Sequence, residues 1–336
     1  MHIKITFREI LSTIHTDLIG KDSQRGITLT YGWFANQVGH FSLGFIPTFI
    51  VYTNNHNALK SLLYVGLFWF LFEGYNVLSP LYKKEYKGNG SFKVDWKNLL
   101  FDVSTDISFF WTGGVIFYLL VHFNISVLIA FLVAFFLLLF AVRYWFLTKL
   151  YQQNALFPYQ FRLSQWNAKL SHLNIDTVNK VISRKESKTH FLIFGSKGKG
   201  KTRLMVGLGN ELAIKNHKTT YSTFSKWVSM LEESDQTLKE TSFSLWNWTQ
   251  AEFLIIDDIN PGTPEISNKT KSSDIQNYLK TTNSDRNIKA LVNKSVAWVV
   301  GSCAETEKQE DWIRMLENIG VNSKDIHIVD LDTMLR

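Results

Sequence analysis

The chain has a single cysteine, Cys303, among 336 residues. One thiol excludes an internal disulfide and any cysteine-rich metal centre, and it suits a reducing compartment. No cleavable signal peptide is evident at the start. There Ile3, Phe7, Ile10, Leu11, Ile14 and Leu18 recur at helical spacing, with Lys4 and Arg8 among the polar positions. Residues 1–26 are therefore expected as an amphipathic segment, lying either on a membrane surface or on the protein itself. The second half lacks a dense basic run with interleaved aromatics, which gives nucleic-acid binding no direct support. No H-x-x-x-H pair marks a local metal site. The net charge of +7 lies largely beside apolar segments, where it sets orientation instead of recruiting a polyanion.

Long apolar runs crowd into the first 150 residues, and the remainder reads as an ordinary α/β protein. Two domains are expected, a four-helix transmembrane bundle over residues 27–149 and an α/β domain over 189–336, joined by a linker over 150–188. Four segments are read as spans: Ile27–Tyr52, Leu59–Leu78, Leu99–Phe123 and Ile125–Phe146. The last two meet in a tight turn at His122 to Ser126, so they form an antiparallel hairpin. Lys4, Arg8, Lys21 and Arg25 precede the first span; Lys83, Lys84, Lys87, Lys93 and Lys97 fill the second loop; Arg143 and Lys149 close the fourth span. The opposite side has only Lys60. The positive-inside rule places both termini in the cytoplasm of a multi-pass membrane protein, a bacterial inner membrane being the expected location.

Spans one to three carry polar groups that an anchor does not need: Asn36, Gln37 and His40, then Glu73 and Asn76, then Asp102, Thr105 and Asp106. Their helical spacing puts each set on one face, and charges at such depth must pair or meet water. The predicted cluster is His40, Glu73, Asn76, Asp102 and Asp106. Three roles stand open for it: tying helices together, carrying an ion or proton, or acting on a lipid head group through a hydrolytic or metal site. G-H-F-x-x-G at Gly39 to Gly44, E-x-x-N at Glu73 to Asn76 and D-V-x-x-D at Asp102 to Asp106 with following glycines resemble the VanZ-like membrane family. Asn76 stands where that family has glutamine, and Lys83 or Lys84 where it has arginine. The resemblance implies a role in cell-envelope chemistry or glycopeptide tolerance.

In the second half, F-L-I-F at 191–194 runs into G-S-K-G-K-G-K-T, so Gly195, Gly200, Lys201 and Thr202 fill G-x-x-x-x-G-K-[ST]. Such a loop turns backbone N–H groups inward around phosphate oxygens, at the N-terminus of the helix that follows. Gly195, Ser196, Lys197, Gly198, Lys199, Gly200, Lys201 and Thr202 are the expected ATP-binding residues, with Lys201 reaching the terminal phosphates and Thr202 holding Mg²⁺. The run A-E-F-L-I-I-D-D-I at 251–259 reads as a buried parallel strand tipped by two carboxylates. Asp257 is placed to hold Mg²⁺ and Asp258 to orient or deprotonate water. Further strands are expected at Thr219–Thr223, Ser295–Gly301 and Ile326–Val329, with helices between them, which predicts a parallel, doubly wound sheet. Trp246 and Trp248 read as packing residues.

This arrangement resembles the ASCE division of P-loop ATPases, in which an extra strand separates the loop strand from the acidic one. The doubled aspartate of L-I-I-D-D-I resembles AAA+ helicase loaders and transposition helpers. The resemblance implies a polar residue after the next strand, and Ser302 stands there. The usual glutamate after the first aspartate is missing, and no helical lid is expected beyond Ser302, which leaves ring assembly open. Arg286 and Arg314 are candidate arginine fingers. The first functional expectation is a membrane ATPase whose nucleotide state controls the polar helices. The second is a membrane-anchored nucleotide switch that recruits a protein or DNA partner. A kinase is a third reading without an evident second substrate signature. The bilayer is the expected partner, with a homo-oligomer allowed.

Overall fold

The computed structural model describes residues 5–19, 26–82, 90–168, 170–183, 188–233, 244–260, 270–301 and 307–332. The chain divides into two compact units, Met1–Lys87 with Val94–Leu150 and Gly88–Lys93 with Tyr151–Arg336.

The first unit contains helices α1 (Phe7–Ile19), α2 (Leu29–Asn55), α3 (Ala58–Tyr82), α4 (Trp96–Val121) and α5 (Ile125–Asn154). Three of them, α3, α4 and α5, are long and apolar enough to cross a membrane. The remaining expected span, α2, falls short of that measure. The α2 helix forms over 27 residues but does not reach the same apolarity, because Asn36, Gln37 and His40 interrupt it. Its own carbonyls show how it is tied in. Pro47 has no N–H, so the Leu43 carbonyl four residues earlier loses its helical donor. Trp69 of α3 donates its indole N–H to that carbonyl at 2.8 Å and stacks on Phe110 of α4 at 4.4 Å. Closeness between α2 and α4 depends on absent side chains. A Cβ on Gly44 would lie 1.9 Å from the Phe110 carbonyl oxygen, and one on Gly113 2.1 Å from that of Phe41. Small residues let helix backbones approach in this way. The amphipathic α1 packs on the protein. Its buried Asp17 accepts hydroxyl hydrogen bonds from Thr28 and Thr30.

The second unit is built on strands β1 (His190–Phe194), β2 (Thr219–Thr223), β3 (Phe253–Asp257), β4 (Ser295–Gly301) and β5 (Ile326–Asp330). They form one sheet in the order β2-β3-β4-β1-β5, with every pairing parallel. Alternate residues feed opposite faces, as strand geometry requires. Phe191 and Ile193 join one core with α6 (His172–Ile182) and α7 (Lys201–Ile214). Leu192 and Phe194 join the other with α8 (Phe224–Leu231), α9 (Ser272–Thr281), α10 (Ser284–Val292) and α11 (Gln309–Asn318). Trp246 and Trp248 are buried packing residues.

Three expectations need adjustment. The stretch read as a linker places Phe161, Leu163, Trp166, Leu170 and Val178 in the first of these cores. The α10 helix was not anticipated, since only Ile288, Ala290, Leu291 and Val292 are apolar in Ser284–Val292. The helix expected after the strand Thr219–Thr223 ends at Leu231, and 234–243 lie outside the described residues.

At the amino end of β1, His190 is buried and accepts the Trp298 indole N–H on Nδ1 at 3.2 Å. Burial pulls its pKa from 6.5 down to about 4. The unfolded imidazole takes a proton near pH 6.5, whereas the folded one resists until about 4. Stability is therefore unaffected above that window and falls as pH drops through it, by up to about 3 kcal/mol. Urea unfolding followed by tryptophan fluorescence at pH 7.5 and pH 4.5 should show this loss, and His190→Phe should make it smaller.

Candidate functional site

Parallel strands bring their carboxyl ends to one edge of a sheet, and ligand sites in open α/β sheets lie there. Along this edge, Gly195 to Gly200 joins β1 to α7. Gly198 and Gly200 have φ of 83° and 89°, a left-handed conformation that side chains disfavour. A Cβ on Gly200 would also press the Trp166 ring at 3.0 Å. Ser196, Lys197, Gly198 and Lys199 are exposed, while Lys201 and Thr202 are half-buried in the first turn of α7. The first amide groups of that helix have no intrahelical acceptor and point back at the loop. Lys201 folds over it, donating from Nζ to the Gly195 carbonyl at 2.6 Å and the Ser196 carbonyl at 3.0 Å. Partial burial lowers the Lys201 pKa, opposed in order by the charges of Asp332, Asp257 and Asp258.

Asp257 ends β3 and is buried. Its Oδ2 accepts the Tyr221 hydroxyl at 2.9 Å, and its Oδ1 accepts the Asp258 backbone N–H at 2.9 Å. Asp258 has φ of 56°, which turns the chain sharply as it leaves the strand. Its side chain is open to solvent, yet partial withdrawal from water and then the Asp257 charge push its carboxyl pKa up, against the pull of Lys201. The loop lysine and both expected aspartates thus lie within electrostatic reach of one another. Ser302 lies outside the described residues.

Two residues here were not anticipated. Asp332 follows β5 and accepts both the Ser196 N–H at 2.7 Å and the Ser196 hydroxyl at 2.8 Å. It arrives there because β5 pairs with β1, setting Asp330 opposite Phe194 and giving the Leu331 N–H to the Phe194 carbonyl. No local sequence signal marks it. Tyr221 is a half-buried strand residue in T-T-Y-S-T, and nothing in that local run marks its reach to Asp257. Of the candidate fingers, Arg286 gives its guanidinium to the Glu233 carbonyl and lies over the Trp248 ring. Arg314 is 74% exposed and 3.9 Å from Asp311.

In the first unit, α2 and α4 bring His40 Nδ1 to 3.2 Å from Asp106 Oδ1, too misaligned for a hydrogen bond. Gln37, left out of the expected cluster, donates to the same oxygen at 3.1 Å. Glu73 is buried on α3, hydrogen-bonded to Asn76 and within electrostatic reach of Asp106 and His40. Asp102 stands one turn before Asp106 on α4. Among the described residues, no group of three His, Cys, Asp or Glu side chains is arranged to hold a metal ion.

The chain matches no known family model and no curated protein at a significant level.

Proposed function

We propose that the second unit binds ATP with Mg²⁺ and hydrolyses it, and that its nucleotide state acts on the polar helices of a four-helix membrane unit. The observation that carries this reading is the meeting of the Gly195–Thr202 loop, Lys201, Asp257 and Asp258 at one sheet edge. The sheet order supports it, since β4 separates β1 from β3 as in the ASCE P-loop ATPases that the sequence resembles.

The donor set fits a nucleotide. The loop offers glycine conformations that side chains disfavour, a lysine held by two main-chain carbonyls, and a helix N-terminus. On this reading the backbone N–H groups of 195–202 and Lys201 hold the phosphates, and Thr202 with Asp257 holds Mg²⁺. Mg²⁺, when bound, neutralises phosphate charge. Lys201 exchanges the Gly195 and Ser196 carbonyls for phosphate oxygens. Asp258, its pKa raised, is a stronger proton acceptor than an ordinary carboxylate and takes the role of orienting and deprotonating water. Asp332 sets a negative charge on the Ser196 N–H and opposes phosphate there.

Coupling to the helices finds support in α5, a continuous helix whose residues from Tyr151 on belong to the second unit. There Gln152 donates to Asn210 of α7 at 2.7 Å, and Ala155, just past the helix, accepts the Tyr221 N–H at 2.8 Å. In the membrane unit, α2 is the fourth span, its polar face turned toward α4, and both termini are cytoplasmic.

Purified protein in detergent should hydrolyse ATP, and Lys201→Ala should reduce turnover at least about 100-fold. Tight ATP binding without turnover in the wild type would replace this reading with that of a nucleotide switch. Asp332→Asn keeps a hydrogen-bond acceptor but removes the charge, so ATP should bind several-fold tighter by equilibrium titration. For topology, an impermeant maleimide applied to intact cells should label Asn124→Cys but not Lys97→Cys, both in a Cys303→Ser background. The reverse pattern would invert the orientation.

A further inference from the structure

Tyr221 stands out because its phenol is spent on one carboxylate oxygen at the candidate site, although it comes from the edge strand and not from either motif. Asp257 is held by two donors on two different oxygens, the Tyr221 hydroxyl on Oδ2 and the Asp258 N–H on Oδ1. A carboxylate has about four lone-pair directions, so one donor per oxygen among the described residues leaves an acceptor position on each. With both oxygens pinned, the carboxylate plane cannot rotate, and those free positions keep a fixed direction. Tyr221 is itself fixed at its backbone. Its N–H is bound by the Ala155 carbonyl at 2.8 Å, and β2 pairs with β3 so that Tyr221 lies opposite Ile255, two residues before Asp257.

We propose that Tyr221 is a positioning residue for the metal-holding carboxylate, fixing Asp257 so that it accepts the Mg²⁺ of a bound nucleotide. This rests on the nucleotide reading above and adds to it a residue that neither sequence motif contains. Hydrogen-bonded partners behind a metal ligand typically contribute 10- to 100-fold in metal affinity. A purely structural tyrosine would instead change stability without separating metal binding from nucleotide binding.

The test uses the full chain in detergent, with Mn²⁺ binding read by electron paramagnetic resonance in the presence of saturating ATP. ATP affinity is measured separately in EDTA. Tyr221→Phe, which removes only the hydroxyl, should weaken Mn²⁺ binding about tenfold and leave metal-free ATP affinity within about twofold. In an Asp257→Asn background the same change should have no further effect on Mn²⁺, since the two residues act through one contact. Unchanged or tighter Mn²⁺ binding in Tyr221→Phe would overturn the proposal. So would a tenfold loss that persists in the Asp257→Asn background. A wild type that binds ATP neither in EDTA nor with Mn²⁺ would remove the nucleotide reading itself, and this proposal with it.

Discussion

A parallel sheet has to be covered on both faces, because its connections put helices there and its strands are apolar throughout. In this chain that requirement organises the whole second unit. Every residue of β1, β3 and β4 is buried. One face is closed by α6, α7 and the stretch from Phe161 to Leu170, the other by α8 to α11 with Trp227, Trp248 and Trp312. The same requirement aligns all five carboxyl ends at one edge. A loop after β1, an acidic tip on β3 and the segment after β5 then have to meet, although 136 residues separate Ser196 from Asp332.

Charge balance at that edge follows from the meeting. Three carboxylates bear on Lys201, and each has a different setting. Asp257 is buried and fully oriented by donors, Asp258 faces solvent, and Asp332 caps the loop's own N–H. One half-buried lysine shared among three acids offsets their mutual repulsion only in part, which carries a cost. Donors on Asp257 and the carbonyl contacts of Lys201 offset part of that cost by satisfying each group locally. The arrangement is chemically asymmetric, as the different roles proposed for Asp257 and Asp258 require.

The first unit solves the opposite problem. In the membrane setting proposed for it, lipid cannot satisfy polar groups, so those inside the helices must satisfy one another. Gln37 donates to Asp106, Trp145 gives its indole N–H to Thr105 at 3.1 Å, and Trp69 caps the carbonyl that Pro47 leaves free. These contacts tie α2, α3, α4 and α5 pairwise. They also explain why α2, the least apolar of the long helices, is the one with most to gain from its neighbours. The His40–Asp106 pair and the nearby Glu73 lie at the centre of this polar set.

Periodicity and local chemistry were enough to determine much of this from the sequence. The strands at Thr219–Thr223 and Ser295–Gly301 were read with the bounds they have, because short runs rich in β-branched and aromatic residues between turn residues have few alternatives. The long helices were read nearly as well. The glycines and Lys201 were legible because a tight loop ahead of a helix admits few residue types. What tertiary structure alone decided is everything that depends on strand order and helix contact. Asp332 reaches Ser196 only because β5 lies beside β1, and Tyr221 reaches Asp257 only because β2 lies beside β3 in that register. The fate of residues 151–183 as core was likewise invisible, since Phe161, Leu163 and Trp166 are scattered among polar neighbours and show no period. Side chains that act across a fold leave no spacing in the chain, and their partners are set by which elements pack together.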